Sequence, residues 1–102
     1  MGNKGLKIEK RENGEWVSIS LEEAHQIISK DYAKGYKNVE QWIYRALEAG
    51  ATVGRLRLTD HLERYQKFVL EHGEGEFNKM MIGLWFWLNR IHRNDEIEKK
   101  GN

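Results

Sequence analysis

The sequence predicts an α+β domain made of two β-α-α repeats behind an N-terminal β-hairpin, and three observations carry that expectation. Short runs of alternating apolar and polar residues flank Asn13-Gly14 and recur at Arg55-Leu56-Arg57-Leu58. Val39, Trp42, Ile43, Ala46 and Leu47 fall at i, i+3, i+4, i+7 and i+8, and Phe77, Met80, Met81, Leu84 and Trp85 repeat that spacing 38 positions later. Each set forms one stripe on a helix of about 3.6 residues per turn. Finally, Gly35, Gly50 and Gly73 stand where periodic stretches end, in a chain with no proline to mark its boundaries.

The hairpin comes first, over residues 6–20. Leu6 and Ile8 alternate with Lys7 and Glu9, and Val17 and Ile19 alternate with Trp16, Ser18 and Ser20. Asn13-Gly14 between them suits a type I′ turn, whose two central residues both need positive φ. A two-residue loop sets Ile8 opposite Ile19 and Arg11 opposite Trp16, which puts the apolar pair on one face. Arg11 and Trp16 are then expected to stack across the strands.

Helices follow. Ser20 with Glu23 makes a capping box, in which hydroxyl and carboxylate satisfy orphan backbone donors. Leu21, Ala24, Ile27, Ile28 and Tyr32 form the inward face, and Gly35 ends the helix in a left-handed turn. Asn38 is expected to cap the second helix, which stops at Gly50. After the strand at 55–58, Thr59 or Asp60 caps a third helix with Leu62, Tyr65, Phe68 and Val69 inward, ending near Gly73. Glu74 to Glu76 read as a loop, and a last helix runs from about Phe77 to Arg93. Residues 94–102 are polar, without periodicity, and read as a flexible tail. The chain is thus expected to be a single domain over 1–102, with repeats at about 16–50 and 54–92 that pack about a pseudo-two-fold axis.

Bulk composition narrows the function. The 102 residues are 39% hydrophobic and 32% charged, enough for one domain with a modest core. Residues 1–50 hold eight basic and eight acidic side chains, and residues 51–102 hold nine and eight. Neither half is a basic module, and a net charge of +1 gives no strong field for nucleic acid or anionic membrane. The absence of cysteine excludes disulfides, thiolate zinc sites and thiol nucleophiles. No apolar run approaches the roughly 18 residues of a membrane span and no secretory signal opens the chain, so an intracellular protein with no membrane contact is expected.

Catalysis finds little support. His25, His61, His72 and His92 are dispersed. Glu22 and His25 match half of a Glu-x-x-His di-iron pattern, but no second pair exists. Gly73-Glu74-Gly75 is flanked by acids and followed by no lysine, unlike a phosphate loop. No nucleophile stands with a base and no ligand set is apparent, so the expectation is no enzyme, no metal and no cofactor.

The last helix carries more apolar surface than one buried stripe needs. With Phe77 as zero, and about 100° per residue, Trp85 falls near 80°, Ile82 near 140°, Phe86 near 180° and Trp87 near 280°. A central helix buried all round would account for this. So would a contact patch made of Ile82, Trp85 and Phe86, since interfaces favour aromatic residues.

Two resemblances add to this reading. Residues 16–50, Trp-Val-Ser-Ile-Ser-Leu-Glu-Glu through Gly35 to Ile43-Tyr44-Arg45-Ala46-Leu47, resemble a ribbon–helix–helix DNA-binding unit. The resemblance implies two strands paired antiparallel with outward side chains in the major groove. Carried over, those readers are Ser18 and Ser20 in the first unit and Arg55 and Arg57 in the second; arginine suits guanine, whose two acceptors it can reach at once. The whole sequence also resembles the small orphan proteins of filamentous viruses of hyperthermophilic archaea, of the Acidianus filamentous virus kind. That resemblance implies the cytoplasm of an infected host cell and brings no activity.

The expectation is therefore a non-catalytic binding protein that recognises a protein or peptide partner, a second copy of itself included, through the last helix or an unpaired sheet edge. DNA binding through the strands is the alternative.

Overall fold

The computed structural model describes the backbone of residues 6–101 and the side chains of residues 6–93. Strands β1 (Ile8–Glu12) and β2 (Glu15–Ile19) form the expected hairpin. Asn13 and Gly14 adopt φ of 53° and 83°, the paired positive values that a type I′ turn requires. Ile8 faces Ile19 and Arg11 faces Trp16, the register that the alternation predicts. Strand β3 (Leu56–Leu58) takes the other edge of β1, which gives the order β2-β1-β3. Both neighbours run antiparallel to β1, so β2 and β3 run in the same direction. Ile8, Leu56 and Leu58 are buried on the face toward the helices, whereas none of Glu9, Arg11, Trp16, Ser18 and Arg57 on the other face is buried.

Helix α1 (Leu21–Gln26) passes directly into a π-helical segment, Ile27–Tyr32. Half of the capping box forms: Ser20 Oγ accepts from the Glu23 N–H at 3.0 Å, while the Glu23 carboxylate accepts instead from Lys10 Nζ at 3.1 Å. The π-helical winding, which hydrophobic periodicity does not signal, sends the Ala33 N–H to the Ile28 carbonyl at 2.7 Å. Gly35 then turns the chain with φ of 86°, as expected. Tyr32, at the end of this segment, accepts the Arg55 N–H at 3.0 Å. Gly54 makes room for it, since a Cβ there would lie 2.6 Å from Tyr32 Oη.

Helix α2 (Lys37–Glu48) begins before the predicted cap: Tyr36, not Asn38, holds the N-cap position, and no side chain caps the end. Gly50, with φ of 94°, lets α3 (His61–His72) cross closely; a Cβ would lie 2.4 Å from the His61 carbonyl oxygen and from Tyr65 N. Asp60 is the N-cap of α3, again without a side-chain hydrogen bond.

Helix α4 (Glu74–Gly101) corrects the sequence reading at both ends. Gly73 alone, with φ of 93°, joins it to α3. Glu74 to Glu76 make its first turn instead of a loop, where acidic groups favour the helix dipole. The helix also continues through the expected tail to Gly101, and Asn102 lies outside the described residues. Its 28 residues would span about 42 Å at 1.5 Å per residue, close to the 47 Å long axis of the molecule.

The core gathers Ile8, Ile28, Ile43, Leu47, Leu56, Leu58 and Leu84 between the inner sheet face and the helices. Four residues expected inside are exposed: Leu21, in the first turn of α1, Trp42, Leu62 and Trp85. Trp42 and Trp85 lie at the edges of their stripes, past the arc that neighbouring elements cover. Leu62 fails because α3 packs on one side only and buries no residue fully. The strand–helix–helix order occurs twice, but the correspondence is one of order. The helix pairs differ in connection, a single glycine against residues 33–36, and in length, 28 residues for α4 against 12 for α2.

Candidate functional site

Helix α4 is not buried all round. Met80, Leu84 and Ile91 are buried, and Phe77, Met81 and Leu88 are half-buried beside them. At about 100° per residue these six occupy an arc of about 100°. Ile82, Trp85 and Phe86 fall outside it and are 68%, 69% and 59% exposed. The three expected partner-binding residues therefore share one outward arc. Asn89 lies one turn beyond Trp85 and donates from Nδ2 to its carbonyl at 3.0 Å.

The expected nucleic-acid contacts are only partly gathered. Ser18 and Arg57 lie on the open sheet face, each opposite Glu9 in the register of β1. Arg55 is exposed beside β3, its carbonyl accepting the Arg11 N–H at 2.8 Å. Ser20 lies past the end of β2 and is engaged in capping α1. The ribbon–helix–helix arrangement of paired strands is not formed within the chain, because β1 stands between β2 and β3. Nor does Arg11 stack on Trp16. Arg57 does, with its guanidinium carbon 4.0 Å from the ring centroid. The cause is Glu9, whose Oε1 accepts from Arg57 Nε at 3.0 Å and draws that side chain across β1. Arg11 and Arg55 have no ion pair among the described residues.

A third feature was not anticipated from sequence. Between α2 and α4 lies a groove of about 640 Å³. Val39, Leu84 and Ile91 are its buried aliphatic residues, and Tyr36, Trp42 and Trp87 supply exposed aromatic surface. Lys37, Asn38, Gln41 and Arg90 complete the lining. Arg90 approaches the Trp87 ring at 5.8 Å, and Arg45 approaches Trp42 at 5.7 Å. The signal available in the sequence was Trp87 itself, an aromatic residue at the margin of the α4 stripe.

The titratable groups serve local structure. His25 Nδ1 lies 3.1 Å from Tyr44 Oη, and His61 Nδ1 lies 3.0 Å from the Leu58 carbonyl. Partial burial pushes the Tyr44 hydroxyl above its ordinary pKa, and the Glu40 charge adds to the effect. The hydrogen bond to Glu23 raises Lys10. Among the described residues, no group of three or more histidine or acidic side chains could hold a metal ion. Among the same residues, no helix is long and apolar enough to cross a membrane. No protein-family model, curated protein or solved structure matches the chain.

Proposed function

We propose that this is a non-catalytic binding protein that recognises a protein partner through the outer face of α4. One observation carries the reading: Ile82, Trp85 and Phe86 expose most of their apolar surface on one arc of a helix. Monomers seldom expose such clusters, and aromatic residues are enriched where proteins meet. Covering the patch by a partner or a second copy would stabilise the fold by mass action. The setting we infer, the cytoplasm of an infected archaeal cell, rests on whole-sequence resemblance alone.

The test is Phe86→Ala, followed by thermal melting, sedimentation at several concentrations and co-purification from native cells. Folding should stay nearly intact while association weakens by about 2 kcal/mol or more, the cost of losing a hot spot. A collapse of folding by the 3–5 kcal/mol or so typical of a truncated core aromatic, with a wild type that stays monomeric and partnerless, would place Phe86 in the core and end this reading.

DNA binding is the second reading, favoured by one feature of the sheet. Among the described residues its open face carries Arg11 and Arg57, with Arg55 alongside, against one acid, Glu9. With charge balanced over the whole chain, mobility-shift titration against a randomised duplex pool should give dissociation constants no tighter than about 10⁻⁶ M at physiological salt. A specific site bound at nanomolar concentration and lost on Arg55→Ala and Arg57→Ala would reverse the order of the two readings.

A further inference from the structure

The α2–α4 groove combines apolar surface with a one-signed electrostatic lining. Its aliphatic residues Val39, Leu84 and Ile91 are buried beneath it, so the apolar surface open to a ligand comes chiefly from Tyr36, Trp42 and Trp87. Trp42 and Trp87 are 39% and 48% exposed, held yet open to a ligand. Among the described residues every charge in the lining is positive: Lys37 and Arg90 contribute, and no carboxylate does. Arg45, beside Trp42, adds a third cation near the same ring. The amino end of α2 lies here too, and no side chain caps it. The Val39 N–H there returns to the Tyr36 carbonyl at 3.1 Å, and the positive end of the helix dipole favours an anion, reinforcing the cations.

We propose that this groove binds an acidic peptide segment, which seats a bulky apolar side chain against Trp42 and Trp87 and sets flanking carboxylates on Lys37 and Arg90. Charge complementarity selects the acid, and the exposed indole surface selects the apolar residue. A volume of about 640 Å³ admits a few side chains of an extended segment and excludes a folded domain. The exposed amides of Asn38 and Gln41 can hydrogen-bond the segment's backbone. Nucleic acid fits less well, since it carries a phosphate at every nucleotide and the lining holds two cations. The groove is also separate from the proposed α4 contact: Trp87 lies about 100° from Phe86 and about 140° from Ile82 around the helix. Either surface can therefore fail without the other.

Fluorescence anisotropy with labelled hexapeptides tests the proposal on the full chain. The probes are Asp-Asp-Leu-Phe-Asp-Asp, its counterpart with four lysines, its counterpart with two alanines, and oligothymidylate. The acidic apolar peptide should bind at least about tenfold more tightly than the other three. Arg90→Gln should weaken it about tenfold by removing a charge-assisted hydrogen bond, and Trp87→Ala about thirtyfold as an aromatic anchor is lost. Phe86→Ala should leave it unchanged. Melting of each variant checks the fold, and Arg90→Gln, an exposed change of charge alone, decides the matter if Trp87→Ala fails to fold. The proposal is overturned if the acidic peptide does not bind at about 1 mM, if the lysine or alanine peptide binds equally, if oligothymidylate competes best, if Arg90→Gln has no effect, or if wild type self-associates through the groove and Trp87→Ala abolishes it.

Discussion

Tyr44 is half-buried on α2, between His25 and Glu40, and its environment has a consequence for alkaline stability. The unfolded hydroxyl ionises near 10.0, while desolvation and then Glu40 hold the folded one higher. A folded pKa above the unfolded one means that the stabilisation is complete below pH 10.0 and is lost as pH climbs through the folded value. Lys10, raised chiefly by its hydrogen bond to Glu23, acts in the same direction above its ordinary 10.5. Denaturant midpoints measured from pH 7 to pH 11 should therefore stay level and then fall, and Tyr44→Phe should shallow the fall. A fall of equal depth in Tyr44→Phe would remove Tyr44 as its cause. Residue-scale chemistry was legible where a side chain acts on its immediate neighbours: Asn13-Gly14 makes the turn, and Ser20 caps α1. It was illegible where the partner comes from far along the chain. Arg57 reaches Trp16 because Glu9 lies between them, and that neighbour relation exists only once β3 has docked on β1.

Elements were legible in kind and order, and less so at their ends. Four helical stretches and three strands lie close to where periodicity predicts them. The misreadings arise from backbone geometry that leaves no apolar signature, namely the π-helical segment before Gly35 and the one-residue link at Gly73. The glycines themselves were read correctly as boundaries, but they are not equivalent. Gly35 has positive φ and open space around it, so an alanine there meets only the left-handed backbone penalty, about 1–2 kcal/mol. Gly50 has positive φ and, in addition, would thrust a Cβ onto the backbone of α3 at His61 and Tyr65. Backbone cannot rotate aside as a side chain can, so α3 must shift and lose its packing on α2. Gly50→Ala should cost about 4 kcal/mol or more, among the severe single substitutions. Urea unfolding of both variants makes the comparison, and equal losses would show that α3 does not pack as closely as described.

At the scale of the whole molecule, α4 is shared by the core, the proposed partner face and the groove. The core was largely legible, because a stripe marks which residues turn inward. The limits of the stripe were not, since they depend on how far neighbouring elements reach around a helix. That is why Trp42 and Trp85, which the spacing places within their stripes, stand exposed. The exposure of Ile82 and Phe86 was legible because they lie well away from the stripe, whereas the groove joins α2 to α4 across some forty residues and has no local pattern. Three nearly adjacent positions on α4 should therefore answer differently to truncation. Leu84 is 1% exposed, and Leu84→Ala should cost about 2–5 kcal/mol of folding stability by leaving a cavity. Phe86 and Trp87 are 59% and 48% exposed, so their truncation should cost much less stability, about 1 kcal/mol or below. Phe86→Ala should then lose association alone, and Trp87→Ala peptide binding alone. Thermal melting of the three variants side by side separates the cases. If Leu84→Ala and Phe86→Ala lower stability equally, α4 is packed on both sides, and its outer face is not free to meet a partner.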